Sequence, residues 1–230
     1  MLVLALDTAT PASTAALVEV TADGLVGVVE RRTVDPRAHG EKLAPEIAAA
    51  LAKAGFRPRD LTAIVAGVGP GPYTGLRVGL ATAASMGQAL GIPTYGVCSL
   101  DALGRAAGPG RVLIATDARR REVYFATYAD GVRVTGPEVA KPADVAVLLA
   151  GAVATSLAGA ADRAAGEGAL KYGDVFGVPV EEHLLYPPGA ALVAIAVERI
   201  REGAPSEILT PLYLRRPDAV EPAARKSVLT

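Results

Sequence analysis

Arg111-Val-Leu-Ile-Ala-Thr-Asp117-Ala-Arg119-Arg120-Arg121-Glu122 is the stretch that decides the fold, because the chain has already run through the same pattern once. Arg111 to Thr116 reads as an apolar strand closed by Asp117, the turn Ala118-Arg119-Arg120 follows, and Glu122 to Tyr128 returns as a second strand. Ala129-Asp130-Gly131 then turns the chain into Val132 to Val134, Asp-Gly being a strong hairpin signal. The N-terminal residues do the same. Leu2 to Leu6 ends in Asp7-Thr8-Ala9-Thr10-Pro11, Thr14 to Val20 returns, Thr21-Ala22-Asp23-Gly24 turns, and Leu25 to Arg32 is the third strand. Two copies of strand, Asp, turn, strand, Ala-Asp-Gly, strand, each followed by helices, predict a duplicated α/β fold of two lobes, 1–108 and 109–230.

Outward from the repeat, a helix is expected over Glu41 to Ala54, with Leu43, Ile47 and Leu51 on one face and Gly55 as its stop. Leu61 to Val68 reads as a buried strand, Gly69 to Thr74 as a Gly/Pro loop, and Gly75 to Leu90 as a helix. Thr94 to Val97 is a further strand, and Ser99 caps a short helix. In the second half, helices are expected at Pro142 to Leu149 and Gly189 to Arg201, with a strand near Asp162 to Ala165.

The inventory of reactive groups is poor. With 230 residues the chain can bury about 70% of its unfolded surface. Its 23 Lys+Arg balance 24 Asp+Glu, which argues against holding nucleic acid by bulk charge alone. One cysteine, Cys98, excludes an internal disulfide and a cysteine zinc cluster. Only two histidines, His39 and His183, remain for metal or general-base chemistry; Leu43 stands where a helical His pair would place its second member, so no metal site is expected. His183 belongs to a solvated Glu-Glu-His run, and Cys98 ends a buried strand as a structural thiol. Met1 to Asp7 lacks a basic leader, and Gly and Pro interrupt every long apolar run, so a cytoplasmic chain without membrane contact is expected.

Four features could carry function. Gly67-Val-Gly-Pro-Gly-Pro-Tyr-Thr-Gly-Leu-Arg77-Val-Gly79 lies between strand and helix, where free amides can hold an anion or a dinucleotide; against this, Pro70 and Pro72 have no N–H, and a turn with tight packing explains it equally. Gly75, Gly79, Ala83, Gly87 and Gly91 form a stripe of small residues, serving either packing within the chain or a partner helix. Asp7, with Thr8 and Thr10, and its counterpart Asp117 could meet a phosphate or metal as in an actin-like ATPase or small-molecule kinase, or they cap turns. Arg119, Arg120 and Arg121, with Arg215, Arg216, Arg225 and Lys226, either touch RNA phosphate or form a solvated turn and tail.

Taken together, several segments resemble the bacterial TsaB family. They are Leu4-Ala-Leu-Asp7-Thr-Ala-Thr10, His39-Gly-Glu-Lys-Leu-Ala-Pro45, Gly69 to Gly79, Gly96-Val-Cys-Ser-Leu100, Asp117-Ala-Arg-Arg-Arg-Glu-Val-Tyr124, Gly166-Glu-Gly168-Ala-Leu-Lys-Tyr172 and Pro211-Leu-Tyr-Leu-Arg215. The resemblance implies an actin/Hsp70-like, ribonuclease H-like fold and a non-catalytic subunit in threonylcarbamoylation of the adenosine next to the tRNA anticodon. The partners it implies are a TsaD-like transferase, which carries the metal pair, a TsaE-like ATPase, and tRNA through the complex, with a homodimer as a further use of the same helices. No cofactor is implied. Carried onto this sequence, Leu43, Ile47, Leu51, Leu76, Gly79, Leu80 and Ala83 become the partner surface, and a bulky residue at Gly79 or Ala83 is expected to abolish binding while leaving the fold. Asp7, Thr8 and Asp117 become a vestigial nucleotide site, because the second turn holds arginines where phosphate-wrapping glycines belong. Pro72-Tyr73 departs from the family's Ser-Phe, which keeps a ring and loses a backbone donor. An older label of the family as a glycopeptidase finds no His-Glu-x-x-His here.

Overall fold

The computed structural model describes residues 1–154 and 161–215. Of the basic tail noted above, Arg216, Arg225 and Lys226 lie outside them.

The first half begins with three antiparallel strands, β1 (Leu2–Asp7), β2 (Ala12–Val20) and β3 (Leu25–Val34), joined in the register Asp7 opposite Thr14 and Thr14 opposite Arg32. Helix α1 (His39–Ala54) follows, closed by Gly55 in the left-handed conformation that glycine adopts at least cost. Then come β4 (Ala63–Gly67), α2 (Tyr73–Leu90), β5 (Thr94–Val97) and α3 (Ser99–Ala107). The second half repeats the order with β6 (Arg111–Arg119), β7 (Glu122–Ala129), β8 (Val132–Ala140), α4 (Pro142–Ala154), β9 (Arg163–Ala165), α5 (Glu167–Phe176), β10 (Val180–Glu181) and α6 (Gly189–Arg201). The sheets run β3-β2-β1-β4-β5 and β10-β9-β6-β7-β8, so every strand has a counterpart in the same place. In each, the central strand pairs antiparallel with its hairpin and parallel with the strand after the helix. Several elements run beyond the sequence expectation, among them α4, which reaches Ala154 rather than Leu149, and β6, which reaches Arg119 rather than Thr116. β8 extends to Ala140 rather than ending at Val134, and α5 and β10 were unanticipated.

Strand alternation distributes the core. Leu2, Leu4 and Leu6 of β1 face α1 and α2, meeting Leu43, Ile47, Leu51, Leu80 and Ala83. Val3 and Ala5 face the other way, against Leu192, Val193, Ala196 and Ile200 of α6. In the second sheet, Leu113 and Ala115 face α4 and α5, while Val112 and Ile114 meet Leu100 and Leu103 of α3. The terminal helices are therefore exchanged: α3 closes the first sequence repeat but covers the second sheet, and α6 closes the second repeat but covers the first. A segment after α6 continues the return, with Glu207 N donating to Thr94 O and Leu212 N to Val68 O.

Candidate functional site

The end of β1 is where the two halves are tied. Asp7, 1% exposed, accepts from Ser99 Oγ at 2.6 Å through Oδ2 and from Ala9 N at 2.9 Å through Oδ1. Burial pushes its carboxyl up to about 6, and these two bonds hold the shift in check. Gly67 stands beside it because a Cβ there would come within 1.8 Å of Oδ2. Ser99 Oγ also accepts from Gly69 N at 3.2 Å, and Ser99 N donates to Gly69 O. The Gly69 amide is thus held by its own chain, and Pro70 and Pro72 contribute none, so the loop offers little to a dinucleotide.

Helix α2 lies close over the turn after β1. Thr8 Oγ1 donates to Gly75 O at 2.8 Å, and a Cβ on Gly79 would sit 2.4 Å from Thr8 Oγ1. Gly75, Gly79 and Gly87 are therefore spent on packing within the chain, while Gly91 closes α2 in the left-handed conformation with open space around it. Of the residues expected at a partner surface, Leu43, Ile47, Leu51, Leu76, Gly79, Leu80 and Ala83 are all buried, and Leu43, Ile47, Leu51, Leu80 and Ala83 belong to the cluster under β1. Amphipathic periodicity identifies an apolar face without saying what covers it, and here the sheet covers it. The outward faces of the same helices carry Glu41, Ala44, Pro45, Ala48 and Ala52 on α1, and Tyr73, Arg77, Ala81, Ala84, Ser85 and Gln88 on α2.

His39, at the start of α1, is buried; its Nδ1 shares a 2.8 Å hydrogen bond with Ser13 Oγ. Burial lowers its pKa, with Asp35 raising it and Arg119 lowering it further. The second site is built at the end of β6. Asp117 Oδ2 accepts from Lys171 Nζ at 3.0 Å, and Asp117 N donates to Glu167 Oε2 at 2.9 Å. Burial, reinforced by the Asp117 charge, pushes Glu167 up to about 8 although its bond from Asp117 N pulls the other way. Thr116 Oγ1, Asp117 Oδ1 and Glu167 Oε1 are buried without a hydrogen-bond partner among the described residues.

Asp117 is not the positional equivalent of Asp7. Asp7 shares its strand face with Val3 and Ala5 and reaches α3; Asp117 shares its face with Leu113 and Ala115 and reaches α5. Alternation makes Thr116 the counterpart of Asp7, and Thr8 that of Asp117. The sequence aligned the two aspartates because both end a strand, and a strand end carries no label for its face. Cys98 is inert by contrast, its thiol pushed up to about 11 by burial, and His183 is exposed. No group of three metal-binding side chains occurs among the described residues.

One feature escaped the sequence reading. A groove of about 1000 Å³ separates α2 from the returning segment, and Tyr213 from that segment stacks on Tyr73, ring centroids 5.2 Å apart at 28°. The Arg77 guanidinium lies over the Tyr73 ring, 4.9 Å from its centroid, and hydrogen-bonds its hydroxyl. Nothing in the local pattern of Pro211-Leu-Tyr213 signals a partner more than a hundred residues away.

Residues 27–185 match the family model described as TsaD, tRNA N6-adenosine threonylcarbamoyltransferase. An uncharacterized protein of Mycobacterium tuberculosis is 52% identical over 217 residues, 94% of this chain and 93% of that protein. The tRNA threonylcarbamoyladenosine biosynthesis protein TsaB of Escherichia coli is 36% identical over 132 residues, 56% of this chain and 55% of that protein. The solved structure of YeaZ from Pseudomonas aeruginosa superimposes with a TM-score of 0.73 at 29% identity, covering 93% of this chain and 99% of that one. Two sheets in matching strand order, each ending its central strand at a buried polar site, define a duplicated α/β protein of the actin-like, ribonuclease H-like class. Within that class the chain belongs to the TsaD-type family that this model describes, and to its TsaB members. No helix among the described residues is long and apolar enough to cross a membrane.

Proposed function

We propose that this chain is a non-catalytic subunit in the threonylcarbamoylation of the adenosine next to the tRNA anticodon, acting in the cytoplasm as scaffold and activator of a TsaD-type transferase. Membership of the TsaB family supports the pathway. The observation that carries the scaffold role is the enclosure of Asp7: both of its oxygens are engaged by Ser99 and Ala9, so the position from which an actin-like ATPase or kinase addresses a nucleotide is occupied by the protein's own bonds. Thr8 is likewise committed to Gly75, and Asp117 turns to Lys171. These three residues read as a nucleotide site that has become a structural tie.

In this reading residues 1–108 and 109–230 supply the two lobes, with α3 and α6 bracing each other's sheets. The TsaD-type subunit meets the outward faces of α1 and α2, where Ala44, Ala48, Ala81, Ala84 and Ser85 let another helix pair approach closely. The same face serves a second copy of the chain when the transferase is absent, and a TsaE-like ATPase joins the assembled pair. Reconstitution tests the proposal. The TsaD-type partner should modify tRNA only when this chain is added; equal modification without it would overturn the reading.

A further inference from the structure

The three arginines at the end of β6 are held in an unusual way. Arg119, Arg120 and Arg121 all adopt left-handed backbone conformations, with φ of 63°, 50° and 61°, in a turn that the sequence fills with no glycine. Left-handed φ is uncommon for residues other than glycine, so three in succession hold a strained presentation of three long cations. All three residues are exposed.

A fourth arginine continues the patch. Arg215 Nη1 donates to Ala118 O at 3.0 Å, fastening the returning segment to the base of the turn, and its Nε lies 3.5 Å from Glu122. Two residues earlier is Tyr213, and two extended residues span only about 7 Å. Tyr213 stacks on Tyr73, and Arg77 covers the other end of that pair. The two rings are 54% and 41% exposed, although stacked apolar surface of this kind is normally covered. In a chain whose net charge is -1, Arg119, Arg120, Arg121 and Arg215 meet at one turn, and the segment before Arg215 carries Tyr213, whose ring is half exposed and stacks on Tyr73 beside Arg77.

We infer that the band from Arg77 through Tyr73, Tyr213 and Arg215 to Arg119, Arg120 and Arg121 binds unpaired nucleotides of an RNA, the arginines meeting phosphates and the tyrosine pair stacking a base. An acidic protein surface would use the arginines alone. An exposed ring at the end of a stack beside guanidinium groups suits single-stranded or loop RNA, whose bases stack on aromatic faces irrespective of sequence. The inference rests on the proposed role in tRNA modification for which RNA is bound, and adds that this chain touches it directly.

The experiment is fluorescence anisotropy of the full chain with a labelled single-stranded RNA, and with unlabelled poly-aspartate as competitor. Arg119→Asn and Arg121→Asn remove charge with a residue that tolerates left-handed backbone, and circular dichroism checks the fold. Each is expected to weaken binding several-fold and to reduce the slope of log K against log salt by about 0.7. Tyr213→Ala should weaken binding about tenfold and Tyr213→Phe should not. Undetectable RNA binding by the intact chain would overturn the inference. So would loss on the arginine changes with none on Tyr213→Ala and equal competition by poly-aspartate, which would assign the patch to an acidic protein. Binding is read on the chain alone, so this result and the reconstitution above fail independently.

Discussion

Ser99 Oγ stands 2.6 Å from Asp7 Oδ2, joining the first residue of α3 to the last of β1. The bond sits where α3 leaves the first sheet to pack on the second, so one buried hydroxyl fixes the direction of that departure. Ser99→Ala leaves a buried carboxylate with one donor instead of two. A loss of about 2 kcal/mol in denaturant unfolding at pH 7 is expected, and an unchanged midpoint would show that the tie contributes nothing.

Stability should fall as pH rises through two windows. Asp7 moves from an ordinary value of 3.8 to about 6, and Glu167 from 4.5 to about 8. In those windows the folded chain holds protons that the unfolded chain has released, so the slope is negative; below the unfolded values neither group contributes. For Asp7, at about 1.4 kcal/mol for each pH unit, the loss is on the order of 3 kcal/mol. Asp7→Asn should flatten the profile between pH 4 and 6, and Glu167→Gln that between pH 4.5 and 8. Parallel profiles for variant and parent would refute the assignment.

Gly79→Val tests whether the small-residue stripe is internal. Its new Cβ would press on Thr8 Oγ1, and overpacking of this kind costs about 1–3 kcal/mol. The melting temperature should drop with or without a partner present. A fully stable variant that only fails to bind would restore the stripe to the surface.

Ala84→Arg and Ala48→Arg make the complementary test on exposed positions. Both variants should fold normally and lose co-purification with the TsaD-type subunit, since a long cation replaces a methyl group in a close helix contact. Retained co-purification would move the interface elsewhere.

The repeat was readable because a hairpin leaves local marks: an acidic strand end, a tight turn, an Asp-Gly pair. Its five-stranded sheets follow from that. Helix α5 was missed because it is short, opens on Gly166 and Gly168, and is kinked at Tyr172. The spacing on α1 and α2 shows an apolar face but not its neighbour, since Leu43 and Leu80 recur alike whether a sheet or a partner covers them; in the fold both pack under β1. Ser99 was read as a helix cap, and its bond to Asp7 spans a separation that periodicity does not reach. The Tyr73–Tyr213 stack is invisible for the same reason.

The exchange of α3 and α6 sets an order on synthesis. As the chain leaves the ribosome, β1 to β5 are complete long before Gly189–Arg201 appears, and the Val3, Ala5 and Val65 side of that sheet waits bare. Only the synthesis of α6 closes it. A gene split between residues 107 and 111 would thus yield two fragments, each lacking the helix that the other carries, and they could regain a native core only by meeting.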